Sequence, residues 1–319
     1  MVSKLYGKNI LVTGGTGFIG SHVTEELIKL KCNVVVTFID HEVKSYIFLK
    51  NLDKITTLVK TEISNYQKVF NLISKYQIDY IFHLAAQPLV ETAYKYPLQT
   101  FQSNITGTIN ILECSRLNPR VKGIIVASSD KAYGQLNKKK YQEEDPLQGE
   151  HPYEVSKSSA DLISQAYFKT YQTPVVIARF GNVYGEGDLH FSRIFPGIMK
   201  AIAKKEVLKI RSNGKHIRDY IYVKDVVNGY MLLTANIDKI KGQVFNFGSK
   251  ETLSVLELIS LIEKSLNKKI DYVILDQAKN EISYQSLDYT KATKVLGWEP
   301  KWDIKSSIHQ INNYYNQII

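Results

Sequence analysis

The stretch His151-Pro152-Tyr153-Glu154-Val155-Ser156-Lys157 sets a phenol and an ammonium at a spacing that can do chemistry. A proline followed by a run free of Pro and Gly, with apolar residues at helical spacing, predicts a helix opening at Pro152. Tyr153 and Lys157 are then i and i+4. Four residues turn through about 400° and rise about 6 Å, so both side chains leave one face. A phenol is a weak base at neutral pH because its reference pKa is about 10. A fixed ammonium in a desolvated site favours the phenolate, and a shift of about 3 units requires roughly 4 kcal/mol. Such a tyrosine can take a hydroxyl proton while hydride leaves the same carbon. The spacing alone equally fits an ordinary helix.

A hydride needs an acceptor, and the N-terminal region offers a place for one. Lys8-Asn9-Ile10-Leu11-Val12-Thr13 reads as a strand, Gly14-Gly15-Thr16-Gly17-Phe18-Ile19-Gly20 as a glycine-rich turn, and Ser21 to Ile28 as an amphipathic helix. Strand, turn and helix in this order make a phosphate-binding hypothesis out of a glycine motif. Gly14 permits the tight turn, Gly17 lets the backbone approach a pyrophosphate, and Gly20 allows close helix packing. The helix N-terminus supplies free amides and the positive end of the dipole, and Phe18 and Ile19 of the turn are expected in the cofactor site with the glycines. A second strand, Asn33 to Ile39, ends at Asp40, whose carboxylate can accept ribose hydroxyls and repel a 2′-phosphate. NAD is therefore expected over NADP, although Lys44 lies close by.

These motifs need elements to hold them. Further strands are expected at Ile55–Val59, with Glu62 and Ile63 beyond its end, and at Ile78–Ala86, ending in the small stretch Leu84-Ala85-Ala86. Gly123–Ser129 and Pro174–Phe180 read as two more. Helices are expected at Tyr66–Lys75 and Leu98–Leu117 between them. The alternation predicts a doubly wound parallel α/β sheet of the Rossmann type, with ligands at the carboxyl ends of the strands. Ser128 and Ser129 sit at such an end, where the Ser129 hydroxyl can share a substrate oxygen with Tyr153. Beyond Gly181 the rhythm loosens. Helices are expected at Pro196–Lys205, from the capping box Ser254–Glu257 to Leu266, and at Lys291–Leu296, with a hairpin-like stretch around Asn213-Gly214. The expected division is a dinucleotide-binding domain over 1–180, with about 219–248 returning to it. A smaller interwoven substrate domain takes 181–218 and 249–319.

Composition narrows the partners. An apolar fraction of 44% in 319 residues suits a protein with a sizeable core. No apolar run reaches the ~18 residues of a membrane span, and the start MVSKLYGKN does not read as a signal peptide. Cys32 and Cys114 form no metal spacing and the seven histidines are scattered, so no metal site and a reducing cytoplasm are expected. The net charge of +10 comes from dispersed lysines. The one compact run, Lys138-Lys139-Lys140, lies beside Glu143, Glu144 and Asp145 and reads as a solvated loop rather than a nucleic-acid surface.

Glycine turn, strand-end serine and Tyr-x-x-x-Lys in this order resemble the extended short-chain dehydrogenase/reductase family. The resemblance covers the whole chain through TGGTGFIG (13–20), HLAAQPLV (83–90), Asn104 in SNITGT, PYEVSK (152–157), FGNVYG (180–185), RDYIYVKDV (218–226) and LGWEP (296–300). It implies an NAD site that includes Leu84, Ala85, Ala86, Asn104, Ser128, Tyr153 and Lys157. Within the family the pair after the strand-end Ser/Thr sorts the chemistry. Epimerases carry a small non-acidic residue there, GDP-mannose dehydratases a glutamate, and glucose 4,6-dehydratases an Asp followed by a second polar group.

Here that pair is Asp130-Lys131, which looks like the CDP-glucose 4,6-dehydratase branch, as does EISYQSLDYTKATKVLGW (281–298). The implied reaction oxidises C-4 through Tyr153, Lys157 and Ser129, eliminates the C-6 hydroxyl with Asp130 as acid, and returns hydride to C-6. The relatives' C-5 base is a Glu where this chain has Lys131. Lys131 can serve as base, position a water or stabilise an enolate, or the pair can be a surface ion pair. The family also implies Asn182, Arg193 and Arg218 as phosphate or sugar contacts, Gln87, Tyr94 and Leu189 as pocket lining, and a homodimer through the helices near Leu98 and Tyr153. Its late Arg/His position is here Asn280-Glu281. A nucleotide-activated hexose is the expected substrate, for a surface glycan. An epimerase and a non-catalytic dinucleotide- or RNA-binding module are the other readings.

Overall fold

The computed structural model describes residues 4–277 and 282–319; Asn280-Glu281 lies outside them. The strands are β1 (Asn9–Thr13), β2 (Asn33–Phe38), β3 (Thr57–Lys60), β4 (Tyr80–His83), β5 (Gly123–Ser129), β6 (Val175–Phe180), β7 (Asn182–Tyr184), β8 (Leu208–Ile210), β9 (Ile217–Tyr222), β10 (Val244–Phe247), β11 (Thr252–Ser254), β12 (Tyr272–Ile274) and β13 (Tyr284–Gln285). The main helices are α1 (Phe18–Lys29), α2 (Tyr66–Lys75), α3 (Val90–Lys95), α4 (97–116), α5 (Pro152–Tyr171), α6 (Ile194–Lys204), α7 (Val223–Ile240), α8 (Val255–Leu266), α9 (Thr290–Leu296) and α10 (Ile304–Ile318).

Seven strands form one parallel sheet in the order β10-β6-β5-β4-β1-β2-β3. The chain enters at β1, runs outward through β2 and β3, then crosses back to β4. The switch point therefore lies between β1 and β4, where a sheet of this kind opens a crevice at its carboxyl edge. Both faces are covered, which is why the strands read as unbroken apolar runs. On β1, Val12 packs with Val36, Leu27 and Leu233 on one face, while Leu11 packs with Ile81, Ile111 and Ile124 on the other. A second core, with Phe195, Ile198, Tyr222, Ile259 and Ile308, lies under the small sheets. There β9 pairs with β7, β11 and β13, and β8 pairs with β12.

Differences from the expected elements have local causes. The third strand starts at Thr57 because Leu52–Ile55 forms a 3-10 turn after Asn51 in the left-handed region. The fourth stops at His83 because the Leu84 and Ala85 amides leave the ladder and bond the Thr13 hydroxyl, both at 3.1 Å. Asn213-Gly214 does not close a hairpin: β8 pairs in parallel with β12, and Gly214, at φ +78°, turns the chain toward β9. The long helix α7, absent from the expected set, packs on α1 and behind β5 and β6. Helix α4 is continuous but carries a π turn at Gln102–Thr106, a feature that often marks a functional position.

Candidate active site

The crevice at the switch point is cut to admit a ligand backbone-close. Gly14 sits at φ +65°, and a Cβ there would lie 2.8 Å from Ala85 Cα. A Cβ on Gly20 would lie 2.3 Å from Gly14 O, so α1 can press onto the turn only with glycine at that position. Exposed Gly17 opens α1 without a side-chain cap. The amides of Phe18 and Ile19 begin the helix and have no intrahelical acceptor. Asp40 is exposed just past β2, and Glu62 just past β3. Lys44 turns from this edge and donates to Ile318 O at 2.8 Å. Ile63 is in the core, where a Cβ on Gly107 would strike it. This cradle fits the pyrophosphate and adenosine ribose of a dinucleotide.

Next to it stands a row of buried polar groups. Thr13 Oγ1 accepts from Leu84 N and Ala85 N and lies 2.9 Å from His83 Nδ1. With both lone pairs taken, the threonine proton goes to Nδ1. The ring proton is therefore on Nε2, which donates to Thr108 Oγ1 at 3.0 Å, and Thr108 donates onward to Asn104 O at 2.6 Å. Burial pulls His83 down to about 3, so the imidazole is neutral. Asn104, in the π turn, brackets the Gln87 backbone at 2.7 and 3.1 Å and donates to Ser156 Oγ at 2.9 Å.

Pro152 occupies the first turn of α5 as expected, and the helix brings Tyr153 against Ser129, the last residue of β5. Burial pushes the Tyr153 pKa up to about 12, while the Arg193 guanidinium and the adjacent Ser129 hydroxyl pull in the opposite direction. Lys157 donates to Ala127 O at 2.9 Å, and burial lowers it to about 8 against the charge of Asp161. Asp161, one turn further on, accepts from Ser128 Oγ at 2.6 Å and from Arg179 at 2.8 and 2.9 Å. Arg179 continues to Tyr133 OH at 2.6 Å and Tyr133 to Asn246 at 2.8 Å, all of it buried. Neither Asp161 nor Arg179 stood out in the sequence, since no local pattern shows that α5 and β6 meet.

Asp130 and Lys131 open a 3-10 turn capped by Ser129, whose hydroxyl accepts from Lys131 N at 3.2 Å. Ser129 Oγ donates to Asp130 Oδ1 at 2.9 Å. Lys131 Nζ is 3.6 Å from Asp130 Oδ2, but the pair is not a surface one, because the Asp130 side chain is 4% exposed and that of Lys131 17%. Gln285, fully buried on β13, also reaches this turn: Lys131 Nζ donates to Oε1, and Nε2 donates to Asp130 O at 2.7 Å. Burial raises Asp219 to about 6 against the hydrogen bonds it accepts from Leu287 N, Ser286 and Thr252, and the nearby Asp130 charge adds to the rise.

The opposite wall comes from the small sheets. Asn182 is half-buried on β7, and Arg218 is half-buried on β9, donating to Ile217 O at 2.8 Å. Arg193 caps α6 and donates to Asp188 at 3.1 Å. Gln87, expected at the sugar, spends its side-chain amide on Leu89 O, Leu89 N and Thr100 Oγ1 and so braces its own loop. Leu189 lines a small crevice with Lys44, Phe191 and Ile318. The three lysines 138–140 are exposed, and Lys138 pairs with Asp145 at 2.8 Å. Among the described residues there is no metal-ligating cluster, and no helix is long and apolar enough to cross a membrane.

Fold and side-chain row define an extended short-chain dehydrogenase/reductase. Within that class, the family described as GDP-mannose 4,6 dehydratase matches residues 11–311, and the chain belongs to it. The chain is 28% identical to the CDP-glucose 4,6-dehydratase of Salmonella typhimurium, over 99% of this chain and 93% of that protein. It is 30% identical to the dTDP-D-glucose 4,6-dehydratase of Bos taurus, over 98% and 90%. The crystal structure of UDP-glucuronic acid 4-epimerase from Bacillus cereus, in complex with UDP-glucuronic acid and NAD, superposes with a TM-score of 0.89 at 27% identity, covering 98% of this chain and all of that one. Dehydratases and epimerases thus stand at similar distances.

Proposed function

We propose that the chain is an NAD-dependent nucleotide-sugar 4,6-dehydratase that converts an NDP-hexose, favouring a CDP-glucose-like one, to the NDP-4-keto-6-deoxyhexose. The observation that carries this is the buried carboxyl of Asp130, 2.9 Å from the Ser129 hydroxyl, which also lies beside Tyr153. Exchange of hydride at C-4 needs the serine and tyrosine alone; an acid at their side serves a second step.

In this reading residues 1–180 and about 219–248 form the dinucleotide domain, and 181–218 with 249–319 the nucleotide-sugar domain. Gly14, Gly17, Gly20 and the Phe18 and Ile19 amides take the pyrophosphate, and Asp40 the ribose, with Glu62 and the Ile63 backbone beside the adenine. Leu84, Ala85, Ala86, Asn104 and Ser128 floor the site. When bound, the oxidised dinucleotide would supply a positive charge and an acceptor that stores the C-4 hydride and gives it back at C-6 after water has left, while a proton returns to C-5. Tyr153, pushed up to about 12 by burial, becomes available as the phenolate through cations that lower its pKa: Arg193 is one, and the Lys157 ammonium lies one turn away. Tyr153 takes the C-4 hydroxyl proton, with Ser129 holding the same oxygen. The ketone acidifies C-5, whose proton leaves with Lys131 as base or as the cation facing the enolate. Asp130 protonates the departing C-6 hydroxyl as water. Asn182, Arg193 and Arg218 hold the diphosphate and sugar, the arginines through bidentate contacts. A cytoplasmic homodimer using exposed Leu98 and the α5 surface, serving glycan assembly, completes the reading.

The test is mass spectrometry of purified protein incubated with a panel of nucleotide hexoses and no added cofactor. A product lighter by one water supports the dehydratase. A product of unchanged mass and altered stereochemistry would support the second reading, a 4-epimerase, which the shared Ser/Tyr/Lys row and the epimerase likeness favour.

A further inference from the structure

We propose that Gln285 is a positioning residue that locks the Asp130-Lys131 turn to the strand carrying Arg218, so that the acid–base step is aligned only when both walls of the cleft are joined. This rests on the dehydratase reading for the step it names. The amide orientation is fixed by chemistry: a carbonyl only accepts and an ammonium only donates, so Nε2 faces Asp130 O and Oε1 faces Lys131. On β13, Gln285 is the parallel register partner of Arg218 on β9. The next residues continue the seam. Leu287 N donates to Asp219 at 2.7 Å, Tyr141 N to Ser286 O at 2.9 Å, and Tyr141 packs edge-on to Tyr133 of the catalytic turn at 5.5 Å. One buried amide therefore sits where the phosphate wall and the proton-handling turn meet.

Gln285→Leu keeps the volume and removes both bonds; Gln285→Glu keeps an acceptor for Lys131 and loses the donor to Asp130 O. In single turnovers with a reacting nucleotide hexose in heavy water, we expect Gln285→Leu to reduce the bound cofactor within about threefold of wild type. Exchange at C-5 should slow about 100-fold, the scale of two lost hydrogen bonds at a charged group. Gln285→Glu should recover about tenfold of that loss. Equal slowing of both steps, or no slowing, overturns the proposal. Hydrogen–deuterium exchange reads the joint whatever the reaction is. Segments 130–134 and 284–287 should lose protection together in Gln285→Leu, and unchanged protection in either refutes the lock. Lost protection in a protein whose wild type never exchanges C-5 leaves the lock standing and overturns the dehydratase reading instead.

Discussion

Tyr153 shows how a single residue's chemistry depends on which cations reach it. Its pKa is pushed up to about 12 by burial, and the Arg193 guanidinium, from the far wall, pulls it down. On the proposed mechanism, Asp130→Asn leaves C-4 oxidation intact, seen as reduced cofactor absorbance, and slows water loss about 100- to 10,000-fold, measured by mass spectrometry. Equal loss of both would assign Asp130 to the first step. His83 carries a stability consequence. Its folded pKa of about 3 lies below the unfolded value of about 6.5, so the unfolded chain takes up the proton first. Its contribution is complete above about pH 6.5 and is lost as pH falls toward 3, on the order of 5 kcal/mol. Chemical denaturation of His83→Gln should show a flatter stability slope across that window than wild type; an identical slope would remove His83 as its source.

At the scale of elements, the glycine turn and α1 act as one part. Gly20→Ala brings a Cβ to 2.3 Å from Gly14 O and 2.7 Å from Gly15 Cα, both backbone atoms that cannot swing aside. We expect NAD affinity by calorimetry to fall at least about 100-fold; retained affinity would mean that α1 can slide. Asp161→Ala strands the Arg179 guanidinium in the core, and the expected cost is about 3–5 kcal/mol in denaturant unfolding. The cradle was legible because strand, glycines and helix are consecutive in sequence, and Pro152 announced α5 for the same reason. The central strands were legible as apolar runs, and Ser254–Glu257 as a capping box, which the structure forms in both directions. The rest is long-range. Strands β7, β8, β11, β12 and β13 have two or three residues each, too few for a period, and exist through partners up to about 70 residues away. Asp161–Arg179 and Gln285–Lys131 join residues 18 and 154 positions apart, and no spacing rule reaches them.

The whole molecule is two cores joined across a cleft: the parallel sheet carries the cradle and the Tyr153 row, and the small sheets with the start of α6 carry Asn182, Arg218 and Arg193. A ligand held by the folded state alone raises its stability with concentration. NAD should therefore raise the melting temperature more than NADP at equal concentration, because exposed Asp40 disfavours a 2′-phosphate and Lys44 is turned to Ile318. Equal shifts would remove Asp40 from the ribose site. The central claim is that one hydrogen moves within one sugar from C-4 to C-6 while the sugar loses water. The direct measurement uses the reacting nucleotide hexose deuterated at C-4, with the product's deuterium located by NMR. The mechanism predicts the label at C-6 of a 4-keto-6-deoxy sugar. Label remaining at C-4 of an inverted hexose would contradict it and make the chain an epimerase.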